Sequence, residues 1–303
     1  MRRRWLWPGF ALVLLLAVML SGCAPGATPA VTPPTFEAVA DGTGLAYVDP
    51  PGVGAGAAVF DVHLLAHNPN PFGIDLSTLD TDFYLGGRQA ASGTFQSGVH
   101  IPAQGTGDLR LKVEVPLSAA PGLLSTFARL VAGGAVEYRL DAVVGVNALG
   151  FPVRFPRATL GRGSISANLA WYAPQITIAA SGASLRIDSL THASFEVPAS
   201  LHNPARLGYL IRTPSLQLRL AGTTVARARL SRIVAPAGTT VPVTLSFDFD
   251  PLALGPALAA QLQAVVAGAG RVTFVVSGPL TLDAPGIASH DIPASSLLSG
   301  SVR

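Results

Sequence analysis

From Phe60 to Ala66, apolar residues take every second position (Phe60, Val62, Leu64, Ala66), and the run ends in His67-Asn68-Pro69. The same layout returns at Phe195, Val197, Ala199 and Leu201 and ends in His202-Asn203-Pro204. A period of two turns one set of side chains to a core and the other away from it, which predicts a half-buried strand in each place. Strands that share period, face and terminating dipeptide imply a duplicated β module. The parallel continues in frame. Leu79, Thr81, Phe83 and Leu85 alternate with Asp80, Asp82 and Tyr84, as Leu216, Leu218 and Leu220 do with Gln217 and Arg219. Gly86-Gly87 and Ala221-Gly222 then read as tight hairpin turns. Beyond Pro102-Ala103 and Pro236-Ala237, Leu109, Leu111, Val113 and Val115 correspond to Val243, Leu245, Phe247 and Phe249, with a one-residue shift in a loop, where insertion costs little.

Both halves next change period. Leu123, Leu124, Phe127, Leu130 and Val131 lie at helical spacing over 121–131, and Leu258, Leu262, Val265 and Val266 over 256–266. Each segment opens with proline (Pro121, Pro256) and stops at glycine (Gly133-Gly134, Gly268), as helices do. Further strands follow over 136–146 and 271–282, with closing segments around Phe155-Pro156 and Gly163-Ser164-Ile165, and around Ile292-Pro293 and Gly300-Ser301-Val302. The pattern predicts a mainly β chain of two tandem antiparallel β-sandwich domains, each with one α-helix, at 36–166 and 167–303. A hydrophobic share of 49% against 12% charged residues supplies ample core for both.

The N-terminus reads as an address. Arg2-Arg3-Arg4 precede an uncharged apolar run from Trp5 to Leu20, interrupted by Pro8 and Gly9, which predicts a secretory signal over 1–22 instead of a spanning helix. Leu20-Ser21-Gly22-Cys23 resembles the lipobox of bacterial lipoproteins, and Cys23 is the one cysteine in the chain. The resemblance implies cleavage before Cys23 and lipidation of its thiol and new amine. At about 0.8 kcal/mol per buried methylene, two or three acyl chains hold a protein firmly on a membrane. No intramolecular disulfide is possible, so an exported fold must rest on its packing. Residues 23–35 carry the lipidated cysteine and a Pro/Ala/Thr-rich tether. If the host has an outer membrane, Ala24 after the cysteine favours that destination in the cell envelope.

Charge narrows the partners. Once Arg2, Arg3 and Arg4 leave with the signal, the remaining basic residues equal the 17 acidic ones, so no net charge draws the exported protein to nucleic acid. The expected partners are the membrane, through lipid on Cys23, and envelope proteins.

Asn68-Pro69-Asn70-Pro71-Phe72, followed by Leu79-x-x-x-Phe83-x-Leu85-x-Gly87, resembles the WHy (water stress and hypersensitive response) domain of the atypical group 2 late-embryogenesis-abundant proteins. The second half departs from that motif, with Ala205-Arg206-Leu207 after Asn203-Pro204. The resemblance implies a folded β-sandwich with a helix, a protective role in dehydration, and no catalytic residues. Asn-Pro has a structural reading that needs no ligand: proline donates nothing to a ladder, and asparagine bonds nearby backbone, so the pair ends a strand and fixes the departing chain.

Catalysis and metal binding find little support. Along a strand, His63 and His67 are about 13 Å apart, too far to share an ion, and His67 and His202 read as solvated strand ends. Asp75, Asp80 and Asp82 fit an outward polar face better than a calcium loop. Gly-x-Ser-x-Gly is absent, Gly161-Arg162-Gly163 is too short for a phosphate loop, and Cys23 is committed to lipid. No enzyme activity, cofactor or metal is expected. The expected function is a membrane-anchored lipoprotein that protects envelope proteins or membrane during water loss. The alternative is an envelope binding or assembly scaffold for a specific protein or apolar ligand, favoured if outward apolar residues such as Leu65 and Tyr84 form one patch.

Overall fold

The computed structural model describes residues 30–118, 121–166 and 177–303. The signal at 1–22, Cys23 and Ala24 lie outside the described residues, as does the boundary expected at 166/167 on its C-terminal side.

Residues 35–166 build two sheets. In the first, β3 (Ala57–His67) is central, with β6 (Thr106–Pro116) along one edge; β1 (Thr35–Ala38) and β2 (Gly44–Val48) lie end to end along the other. In the second, β5 (Arg88–Ile101), β4 (Ile74–Leu85) and β7 (Ala135–Ala148) are neighbours, and β8 (Phe151–Arg154) and β9 (Ala158–Ser166) share the outer edge of β7. All these pairings are antiparallel. The apolar alternation explains why the sheets stack: Phe60 from the first meets Phe83 from the second at 5.1 Å between ring centroids, and both are buried. Each such side chain contributes about 1.5–3 kcal/mol by leaving water.

Residues 177–302 repeat the plan. β12 (His192–His202) is flanked by β15 (Thr240–Phe249) on one side and by β10 (Thr177–Ala180) and β11 (Ser184–Ser189) end to end on the other. The second sheet runs β14 (Thr223–Ala235), β13 (Tyr209–Leu220), β16 (Val272–Ala284), β17 (Ala288–Val302), with continuous β17 in the place of β8 and β9. Even single pairings coincide, Thr35 opposite His67 and Thr177 opposite His202. We refer to 35–166 and 177–302 as modules 1 and 2.

A helix closes one end of each sandwich. In module 1 a 3-10 turn at Pro121–Leu123 takes the first part of the segment predicted to be α-helical, and α1 (Leu124–Val131) follows, burying Phe127 and Leu130, with Phe127 against Phe60. In module 2, α2 (Pro256–Val266) starts with proline at its first position and buries Leu258, Leu262 and Val265. The predicted turn pairs adopt the left-handed conformations that a two-residue hairpin requires, Gly86-Gly87 at φ 57° and 78°, Ala221-Gly222 at φ 46° and 84°.

Two features depart from the expected layout. Within the stretch read as tether, β1 starts at Thr35 and Thr32 is hydrogen-bonded to Asn70. The hydrophobic cores are also not divided module by module. Leu201, Leu207, Tyr209, Ile211, Leu280 and Leu282 of module 2 belong to one continuous core with module 1, while the rest of module 2 has a second core around Phe195, Phe247 and Phe274.

Candidate functional site

The Asn-Pro corners are built the same way twice. The amide N–H of Asn68 donates to Gly105 O at 2.9 Å, extending the ladder one residue past β3, and Pro69 then ends it. The Asn68 side chain is fully buried. Its Nδ2 donates to the carbonyls of Phe72 (2.8 Å), Pro102 (2.9 Å) and Ile101 (3.3 Å), while Oδ1 accepts the backbone N–H of Asn70 at 3.0 Å. Asn203, equally buried, donates to Leu207, Ala235 and Pro236 at 3.0, 3.0 and 3.1 Å and accepts the N–H of Ala205 at 3.2 Å. One amide thus ties the strand end, the following turn and the 101–105 or 235–239 crossing together. Buried carbonyls and amides need such partners, because each one left unpaired costs about 1–3 kcal/mol.

What each corner holds differs. In module 1 the Asn70 side chain pairs with the backbone of Thr32 in both directions: Thr32 N–H to Oδ1 at 2.8 Å and Nδ2 to Thr32 O at 2.9 Å. Nδ2 also reaches Asn68 Oδ1 at 2.8 Å. Pro71 is exposed at the tip of this corner, and Phe72 is half-buried against the core. In module 2 the position of Asn70 is Ala205, and the corner holds module 1 instead. Val48 N–H donates to Arg206 O and Gly208 N–H donates to Val48 O, both at 2.8 Å, in a parallel bridge between Val48 and Leu207.

The residue after Val48 completes the junction. Asp49 is buried, with Oδ1 accepting the N–H of Ala237 at 2.9 Å. Burial raises its pKa above the ordinary aspartate value, and the backbone amides of Ala237 and Ala55 pull it back down. Gly54 and Gly208 crowd its carboxylate from two sides; a Cβ at either would overlap it. Val53 in the same loop is fully buried, and Arg232 donates to Gly52 O at 3.3 Å. Tyr209 is buried close by in sequence to these contacts, its phenol pushed up to about 12 by burial. Near the other edge of the junction, Gly286 in the β16–β17 turn approaches Leu124 of α1 so closely that a Cβ would come within 3.1 Å of Leu124 Cδ1. The end of module 1 that carries the 49–56 loop and α1 therefore covers the corner end of module 2. The modules stack head to tail.

Most of the polar candidates are occupied by local partners. His63 bonds Asp41 O at 2.9 Å and Asp108 at 3.0 Å; His67 is exposed; His202 bonds Thr240 Oγ1 at 2.9 Å. Asp75 meets His100, Asp80 meets Thr94 and Arg154, and Asp82 meets Gln89 and Arg157. Among the described residues no group of three or more His, Cys, Asp or Glu is placed to hold a metal ion. Tyr84 lies beneath the Arg139 guanidinium, 4.2 Å from its ring centroid, beside an open groove of about 530 Å³ that Glu137, Arg162 and Ser164 also line. Leu65 and Tyr84 face outward from different sheets, on opposite faces of the sandwich, so they form no common patch. Among the described residues no helix is long and apolar enough to cross a membrane.

In both corners the buried asparagine side chain holds backbone groups. Residues 63–157, from mid-β3 to the approach to β9, match the late embryogenesis abundant protein family. Module 1 therefore contains a late-embryogenesis-abundant-like domain, of a kind that is generally non-enzymatic. Module 2 lies outside that match and is related to module 1 through its topology. No curated protein sequence matches the chain. Among solved structures, a protein from Archaeoglobus fulgidus is similar at 12% identity and a TM-score of 0.28, over 42% of this chain and 93% of that one. Red sea bream transglutaminase is similar at 13% identity and a TM-score of 0.22, over 83% of this chain and 31% of the enzyme. A glycosyl hydrolase family 2 member from Bacteroides cellulosilyticus gives 13% identity and a TM-score of 0.24, over 78% of this chain and 28% of the hydrolase. The chain thus spans less than a third of either enzyme, and likenesses this weak carry nothing about function.

Proposed function

We propose that the protein is an exported, lipid-anchored, non-catalytic stress-protection protein that shields envelope proteins or membrane during water loss. The observation that carries this reading is the late-embryogenesis-abundant-like domain at 63–157, set behind a lipobox-like Leu20-Ser21-Gly22-Cys23. The construction of the corners agrees with it. Asn68 and Asn203 satisfy their buried neighbours with side-chain amide groups, so these locks need no bridging solvent and persist as water activity falls. A folded, neutral body fixed beside its clients keeps them apart by occupying space, without turnover.

The test is deletion of the gene, followed by drying, salt and detergent challenge, with complementation by the wild-type chain and by Cys23→Ser. Protection predicts poor survival of drying, rescued by the wild type and not by the unanchored variant. Undiminished survival of drying, or a defect confined to detergent, contradicts it.

A further inference from the structure

The junction shows what the corner end of a module looks like when it is covered. In module 2 that end comprises the corner at 203–208, the turn at 236–239 and the β16–β17 hairpin tip at 285–287. Module 1 lies over it, with Leu124 against Gly286 and Ile287 packed on the shared core.

Module 1 has the same end, built from the corner at 68–73, the turn at 102–105 and the tip of the β7–β8 hairpin. Ile74 pairs with both Ile101 and Ala148, so all three parts sit at one extremity of the sandwich, remote from module 2. Here the hairpin tip is bare: Leu149 is 56% exposed and Phe151 69%. The whole extremity also lacks formal charge. Residues 67–74, 101–107 and 146–153 contain no Asp, Glu, Lys or Arg; the first such residues are Asp75, Asp108 and Arg154.

The chain leading to this end identifies what covers it. Asn70 pins Thr32 there, and Cys23 is nine residues upstream. Nine extended residues span at most about 30 Å, so acyl chains on Cys23 keep this end close to the headgroups. A second copy is the other conceivable cover, using the far end of module 2, where Leu190, Leu252 and Val266 are exposed. That end has only Leu190-Thr191 between β11 and β12, where module 1 has the Asp49–Gly56 loop that fills a corner. It lacks the part that makes the junction.

We propose that the corner end of module 1 is a membrane-contact surface, with Leu149 and Phe151 dipping into the interfacial layer of the bilayer and the two modules stacked outward from it. An aromatic and a leucine at a hairpin tip suit the boundary between headgroups and acyl chains. The inference rests on the anchored reading above and deepens it.

The test uses the lipidated full chain in vesicles of phosphatidylethanolamine and phosphatidylglycerol with brominated acyl chains. In a Trp171→Phe background, Phe151→Trp is compared with Leu252→Trp at the far end, and the mass of the N-terminal peptide reports the lipid on Cys23 separately. Circular dichroism checks that each variant is folded; both sites are exposed. The expected result is blue-shifted emission and several-fold stronger quenching for Phe151→Trp than for Leu252→Trp. Equal quenching on a chain whose Cys23 carries lipid overturns the contact surface and leaves the anchor standing. A Cys23 without lipid overturns both. Self-association on sedimentation that disappears in the Leu149→Ser, Phe151→Ser double variant, without differential quenching, assigns the end to a second copy and also overturns the proposal.

Discussion

Replacing Asn203 by aspartate changes one NH2 group for an oxygen at nearly constant volume, which isolates the donor role of the corner. The two hydrogens of Nδ2 serve three carbonyls at 3.0, 3.0 and 3.1 Å in a site with no solvent exposure. Asn203→Asp loses both donations and sets an oxygen against three carbonyl oxygens, while the acceptor for the Ala205 N–H survives. With about 1–3 kcal/mol for each buried hydrogen bond lost in this way, the expected destabilisation is about 4 kcal/mol. Pro204→Ala, which touches none of these bonds, should cost under about 1 kcal/mol. Urea unfolding followed by far-ultraviolet circular dichroism measures both, from the midpoint shift at constant slope. A loss below about 1 kcal/mol for Asn203→Asp refutes the corner as a buried lock.

Other outcomes follow from the same geometry. Because burial raises the Asp49 pKa, the folded state binds its proton more tightly than the unfolded chain does; the associated stability is present at low pH and lost as pH rises from the ordinary aspartate value through the raised one. Asp49→Asn should flatten the melting-temperature profile over the stretch that begins at the ordinary aspartate value and runs upward from it, while keeping the bond from Ala237; an unchanged profile contradicts the burial argument. Gly208→Ala drives a Cβ into the Asp49 carboxylate and Val53, and urea titration should show a loss of about 1–3 kcal/mol. Thr213 is buried with no hydrogen-bond partner for its hydroxyl among the described residues, so the near-isosteric Thr213→Val should stabilise by about 1 kcal/mol and raise the melting temperature by about 2–4 °C in calorimetry.

Strands whose side chains alternate cleanly were legible in the sequence, and so were the hairpin turns. β3, β6, β12 and β15 follow their apolar positions residue by residue, because one face of each meets a core. In β4 the buried positions change phase between Leu76 and Leu79, where Ser77 is an extra residue relative to β7, and only the second part of the strand shows the pattern. The edge strands β1, β2, β10 and β11 are four to six residues long and half-exposed, so alternation carries little signal there.

The Asn-Pro dipeptides announced the corners, but not what the corners hold. Both grips act on main chain, Asn70 on Thr32 and the Arg206–Gly208 backbone on Val48, and backbone N–H and C=O groups are the same at every residue. What sequence does show of the junction is Asp49-Pro50-Pro51-Gly52-Val53-Gly54, dense in turn formers, where module 2 has only Leu190-Thr191. A long loop in one copy of a duplicated hairpin marks the place to look for a contact between copies. The bare Leu149-Gly150-Phe151 tip was equally hidden, since sequence does not show which of the two matching hairpin tips the neighbouring module covers.

Native-state hydrogen exchange at three amides tests the head-to-tail stack most directly: Val48 bonded to Arg206, Gly208 bonded to Val48, and Ala237 bonded to Asp49. If module 1 is locked onto the corner of module 2, these amides exchange as slowly as the central residues of β3 and β12 in the wild type, and accelerate together in Asn203→Asp. Exchange at the rate of exposed loops in the wild-type chain would contradict the stack.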